Sequence, residues 1–145
     1  MEKAEWIGEK VHELYWQHDI NCARTTLICL AGCFDVALQE QTLSSAIGLH
    51  GAGGYRAQCG LVEGSLMFIG IYGRMKGKTD GETAQICYEF ADCFIGKFGS
   101  LKCRDLRPGG FREDDPPHAC ETLTRDAILF AYEFIKSRFE AEPVG

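Results

Sequence analysis

Eight of the 145 residues are cysteine: Cys22, Cys29, Cys33, Cys59, Cys87, Cys93, Cys103 and Cys120. A thiolate is both a nucleophile and a soft metal ligand, so the first question is which of the eight can ionise. By helical periodicity, Cys22, Cys59, Cys103 and Cys120 each fall in the first turn or two of a predicted helix. Cys29, Cys33, Cys87 and Cys93 fall in helix interiors. Free N–H groups and the dipole at a helix start favour an anion, so a thiol there is expected below its usual pKa of about 8.5. A thiol buried in mid-helix is pushed the other way. The first four are therefore candidates for chemistry and the second four for packing. Cys29 and Cys33 lie about 6 Å apart along a helix axis, a geometry that does not favour a disulfide. No CxxC motif is present, which argues against a thioredoxin-like or zinc-ribbon site.

The stretch from Gly51 to Gly64 surrounds Cys59 with glycine. Gly51, Gly53 and Gly54 permit backbone angles that other residues avoid, and they lead into a helix start whose N–H groups could face an anion. Gly60 and Gly64 share one helical face just after Cys59. A glycine costs about 1 kcal/mol in a helix interior, so two on one face imply close approach by a cofactor or by another helix. Gly53, Gly54, Gly60 and Gly64 are thus candidate cofactor-binding positions, with tight helix–helix packing as the alternative for the last two.

Other polar residues carry less. His118, two residues before Cys120, and His50, beside the glycine loop, are candidate proton donors, and His118 is a candidate metal ligand, though a lone loop histidine is more often solvated. Glu63 is expected to pair with Arg56 or Arg24. Asp114 and Asp115 read as capping residues. The run Gly73 to Thr79 is one residue short of a phosphate loop and follows a helix rather than a strand, so it reads as a basic helix end.

The elements that must position these residues are helical almost throughout. Ala4, Ile7, Val11 and Leu14 form the apolar stripe of a helix over 2–17. Asp19 or Asn21 can cap a second helix over 21–37. A short helix over 41–48 ends in the glycine loop. A third long helix is expected from about Ala57 to Met75. A fourth, 81–98, carries Ile86, Phe90, Phe94 and Phe98, with Gly99 as its C-terminal cap. Ser100 can cap a short turn, and 107–117 is a loop by composition. Asp115 and Pro116 can begin a last helix reaching about Phe139. No strand pairs are expected. The fold class is all-α, a compact bundle of about five helices in a single domain over 1–145, with its core at about 20–138.

Composition narrows the function. Hydrophobic residues make up 46%, enough for a core, and 15 basic against 21 acidic residues give a net charge of −6. Without a basic footprint, nucleic acid is not an expected partner. The charge-free apolar stretches 25–34 and 64–73 run about ten residues, half of a membrane span, so no membrane insertion is expected. The N-terminal segment has acidic residues from position 2 and does not read as a secretory signal, so a cytoplasmic location is expected.

Several motifs then combine. Asn21-Cys22-Ala23, the glycine loop, Cys59-Gly60-x-x-x-Gly64, Phe98-Gly99-Ser100-x-x-Cys103-x-x-Leu106 and a lone Cys120 entering the last helix together resemble the C_GCAxxG_C_C family of redox-active proteins. The resemblance covers roughly residues 20–135 and implies that the family's four characteristic cysteines are Cys22, Cys59, Cys103 and Cys120. Leu61 departs from the alanine usual in the family motif. The chain is also similar to a domain of split-Soret cytochromes, which bind haem, but it has no CxxCH motif for covalent attachment.

The leading expectation is a redox-active protein using these thiols for disulfide exchange or electron transfer. Cys59 is the expected reactive thiolate, resolved by Cys22, Cys103 or Cys120. The second expectation is a binding module in which three or four of them hold an iron–sulfur cluster or zinc, or the domain binds non-covalent haem. The third is a non-catalytic partner subunit of an oxidoreductase or transporter. A redox protein partner and a homo-oligomer are both compatible with the sequence.

Overall fold

The longest helices of the chain are built around one that is apolar on most of its circumference. The computed structural model describes residues 2–107 and 119–140. Its helices are α1 (Lys3–Trp16), α2 (Cys22–Cys33), α3 (Glu40–Ser45), α4 (Gly51–Gly54), α5 (Gly60–Met75), α6 (Asp80–Phe98), α7 (Cys103–Leu106) and α8 (Glu121–Glu140). The fold is all-α, with five long helices, and no strand occurs among the described residues. α5 is the central element: Leu61, Val62, Phe68 and Ile69 are all buried along it.

Gly64 explains how α2 comes so close to α5. A Cβ added there would lie 2.6 Å from the Ala23 carbonyl oxygen, so the two backbones meet at a point where no side chain fits. Gly73 does the same job on the other side, against Thr83 of α6. The α5–α6 turn is closed by a capping box, in which Thr79 Oγ1 accepts from Glu82 N–H at 3.1 Å and the Glu82 carboxylate accepts from Thr79 N–H at 2.9 Å. Phe90, Phe94 and Phe98 of α6 pack on Phe130 and Phe134 of α8, as in the 5.3 Å Phe90–Phe134 ring contact. A second aromatic group, Phe34, Phe68, Tyr72 and Phe139, fills another part of the core.

Two boundaries differ from expectation for a tertiary or special-backbone reason. α2 stops at Cys33, not 37. Asp35 adopts a left-handed conformation (φ 54°) and Val36 N–H reaches back to the Ala31 carbonyl at 2.9 Å, closing the helix where glycine is the usual residue. α5 begins at Gly60, not Ala57, because 57–59 are extended and pair with 101–103. α8 begins at Glu121; its expected start at Asp115 and Pro116, together with Asp114, His118 and the loop beyond Arg107, lies outside the described residues. Gly99, by contrast, caps α6 in the expected left-handed conformation (φ 93°). Along α1, Ile7, Val11 and Leu14 are buried as expected, but Ala4 is exposed.

Candidate thiol site

Cys22 is the first residue of α2. The preceding Asn21 fixes that start twice over. Its Oδ1 accepts from Arg24 N–H at 2.9 Å, and its Nδ2 donates to the Ala46 and Ile47 carbonyls at 3.1 and 2.7 Å. The Cys22 thiol then points at the Leu49 carbonyl and packs on Gly60, where an added Cβ would collide with both. Gly60 is therefore the seat of Cys22, and Gly64 the seat of Ala23. Neither position leaves room for a cofactor, so their assignment as cofactor-binding gives way to the packing alternative.

Cys59 occupies the N-cap position of α5. It is placed by a short antiparallel pairing: Cys59 N–H donates to the Leu101 carbonyl at 2.9 Å and Cys103 N–H to the Ala57 carbonyl at 2.6 Å. Gln58 and Lys102 are the bridged pair between them. Side chains alternate along extended backbone, so Cys59 and Cys103 share the face opposite Gln58 and Lys102. Arg104 clamps the same pairing, its N–H and Nε both donating to the Arg56 carbonyl at 3.2 Å. Cys120 closes the group from α8, its carbonyl accepting Thr124 N–H at 2.8 Å in an N-cap position.

The four cysteines therefore stand at four helix starts, as expected, and the fold brings them together. Cys22, Cys103 and Cys120 line a cavity of about 500 Å³, whose walls also include Tyr15, Arg56 and Arg107. Asp19, His50 and Gly54 also line it; Gly53 does not line it and faces open space. Cys59 is not part of that lining and is only 5% exposed, yet it is close enough that its charge acts on Cys22 and the charges of Cys103 and Cys120 act on it. All eight cysteines are free thiols.

Their electrostatics overturn the expectation of primed thiolates. Burial pushes the Cys22 thiol up to about 12, with the charges of Cys59 and Cys103 adding to it; the Ala23 N–H opposes them without prevailing. Burial likewise pushes Cys59 up to about 11, although the N–H groups of Leu61 and Val62 pull the other way. The helix-start effect is real in sign, but desolvation is the larger force. Cys59, the expected reactive thiolate, is itself buried. Cys103 is raised by partial burial, against which the Arg107 and Arg56 guanidinium groups pull it down.

Tyr15 belongs to this site and was not among the sequence candidates. It is buried, its hydroxyl lies 2.7 Å from Thr124 Oγ1, and burial holds its phenol far above the usual range, with Cys22, Cys120 and Cys59 contributing. Its signal was available in the spacing, one turn after Val11 on the buried stripe. Trp16 and His12 flank it. Trp16 Nε1 donates to Glu121 Oε1 at 2.6 Å and His12 Nδ1 meets Glu121 Oε2 at 2.9 Å, so the end of α1 is fastened to the start of α8. Strain gathers here as well. Asp19 and Arg56 on the cavity rim, and Ala52 in the adjoining loop, are three of the four non-glycine residues with positive φ among the described residues.

The remaining cysteines lie elsewhere. Cys29 is fully buried, and Cys33 and Cys87 are half-buried. Cys93 is exposed, so packing does not account for it. Among the described residues Glu63 makes no ion pair with Arg56 or Arg24. No group of three or more His, Cys, Asp or Glu side chains among them is arranged to hold a metal ion. No helix among them is long and apolar enough to cross a membrane.

The family model described as putative redox-active protein (C_GCAxxG_C_C) matches residues 20–134. The chain belongs to the C_GCAxxG_C_C family. The match begins one residue before Asn21 and runs into α8, so it takes in all four cysteines of the cluster. No curated protein and no solved structure matches the chain.

Proposed function

We propose that this C_GCAxxG_C_C protein works by reversible thiol–disulfide chemistry among Cys22, Cys59, Cys103 and Cys120. The observation that supports the reading is convergence: Cys22, Cys103 and Cys120, from three separate segments, line one cavity, and Cys59, from a fourth, lies within electrostatic reach of them. In forming one disulfide, two thiols give up two electrons and two protons to an acceptor, and an external reductant reverses the step. Because burial holds the Cys22 and Cys59 sulfurs protonated at neutral pH, their protons leave as a bond forms. Cys59 is the natural partner for any of the other three, since its charge interacts with that of each of them. A cysteine-held metal is less well supported, because the donor geometry of the described residues does not assemble three ligands.

The test is a thiol count. Fully reduced protein is oxidised anaerobically with diamide, a neutral oxidant, then denatured, alkylated and mapped. The expected result is loss of two thiols into a disulfide joining two of the four, restored by dithiothreitol. No bond, or bonds scattered over Cys29, Cys33, Cys87 and Cys93, overturns the reading.

A further inference from the structure

The central helix of the fold keeps one apolar face turned outward. Glu63, Leu66, Met67, Gly70, Ile71 and Arg74 recur at three- and four-residue spacing and form one stripe along α5. Leu66, Met67 and Ile71 are half-buried, Gly70 and Arg74 are exposed, and a Cβ added at Gly70 would meet nothing within 4 Å. Charge stands only at the two ends of the stripe. The face continues onto α6, which meets α5 where Thr83 faces Gly73 and the Cys87 thiol points at the Leu66 carbonyl. On one flank of that line Ile86, Phe90 and Phe94 turn to the core; on the other lie Ala84, Tyr88, Ala91 and Ile95. Tyr88 is 69% exposed and Ile95 44%. Apolar surface running over two neighbouring helices marks a face that binds protein.

We infer that a second copy of this chain covers this face, as an antiparallel two-fold dimer centred on α5. An isologous interface needs a surface complementary to itself, and the stripe is. With the two-fold axis crossing α5 between Phe68 and Ile69, Glu63 of one copy stands beside Arg74 of the other, Leu66 beside Ile71, and Met67 beside Gly70. Acid meets base, aliphatic meets aliphatic, and a long side chain meets an open position, each twice. Glu63 has no ion pair among the described residues. Arg74 holds Asp80 through one nitrogen, and its guanidinium has further donors for a second carboxylate. Met67 is unbranched and adapts to its neighbour, so an alanine methyl at position 70 would also fit. At 1.5 Å per residue the two copies of Cys59 lie about 28 Å apart along the paired axes, so each thiol group stays within its own chain.

Sedimentation equilibrium of the full-length protein at low salt, over a dilution series, reads the dimer directly. Dithiothreitol is present throughout, so that no intermolecular disulfide through the exposed Cys93 contributes. Wild-type protein should be dimeric at the upper concentrations. Glu63→Lys and Arg74→Glu each set like charges side by side twice, and each should weaken the dimer at least about tenfold. Mixed in equal amounts, the two variants should restore it as a heterodimer, because every facing pair is then again opposite in charge. Gly70→Lys puts a charge in the middle of the stripe at a position where it crowds nothing in its own chain, and should leave monomer. A monomeric wild type, a dimer that survives Gly70→Lys, or two charge variants that are folded by circular dichroism yet stay monomeric when mixed overturns the inference. Should either charge variant fail to fold, Gly70→Lys alone decides.

Discussion

The buried hydroxyl pair between Tyr15 and Thr124 shows how closely the site depends on single atoms. Tyr15→Phe removes one partner and leaves Thr124 Oγ1 buried without the contact it now makes at 2.7 Å. An unsatisfied buried hydroxyl costs about 1–3 kcal/mol, so the unfolding free energy in urea should fall by about that amount. Tyr15→Phe with Thr124→Val removes both partners and should recover most of the loss. A double variant no better than the single would mean that the pair does not act as a unit. The thiols give a second prediction. Folding raises Cys59 and Cys22 from an ordinary value near 9 to about 11 and about 12. Above pH 9 the unfolded chain therefore releases thiol protons that the folded one keeps, and stability falls with rising pH. Below pH 9 neither state ionises and these groups contribute no slope. Reduced protein should lose stability steadily between pH 9 and about 11, followed by denaturant unfolding, and the loss should be shallower once two of the four are in a disulfide. An equal slope in both forms would place the titrating groups elsewhere. The helix-start positions of Cys22, Cys59, Cys103 and Cys120 were legible in the sequence because caps and glycines are local signals. Their protonation was not, since desolvation depends on what packs over each sulfur.

At the scale of elements, the closeness of α2 and α5 rests on glycine at one face of α5. Gly64→Ala would place a methyl group 2.6 Å from the Ala23 carbonyl oxygen, against backbone that cannot yield cheaply. Overpacking of this kind costs about 1–3 kcal/mol. Gly70→Ala, on the exposed side of the same helix with nothing within 4 Å, should instead stabilise by about 0.5–1 kcal/mol. Opposite signs in thermal melts of the two variants would establish that the difference is contact and not helix propensity; like signs would show that α2 can shift away. Most of these elements could be read from apolar spacing, and Gly99 marked the end of α6 correctly. The failures have particular causes. Asp35 ends α2 in a conformation that favours glycine, so no residue type announced the stop. Residues 57–59 read as helix because their partners, 101–103, are more than 40 positions away. That same misreading concealed why Cys59 and Cys103 are neighbours.

At the scale of the molecule, the site is assembled from both ends of the chain. Tyr15 and Thr124 are 109 positions apart, and Trp16 and His12 reach Glu121 across a similar distance. Only the folded chain brings Cys22, Cys103 and Cys120 to one cavity and Cys59 within reach of them, so spacing alone could nominate them without joining them. This long-range assembly bears on how stability should change on oxidation. A disulfide between Cys59 and Cys103 would close a loop of about 45 residues, which restricts the unfolded chain by about 4 kcal/mol if nothing in the folded state resists. The folded state does resist. The pairing sets the two cysteines diagonally, a relation that separates side chains by about 7–8 Å across a sheet, whereas a disulfide needs Cβ atoms about 4 Å apart. Closing that gap must disturb the hydrogen bonds from Cys59 and Cys103 to Leu101 and Ala57. Oxidised protein should therefore exceed reduced protein in unfolding free energy by clearly less than 4 kcal/mol, measured in urea at pH 7 with and without dithiothreitol. The full loop-closure gain would mark a bond made to stay closed, and a site meant to exchange would then have to lie at another pair of the four.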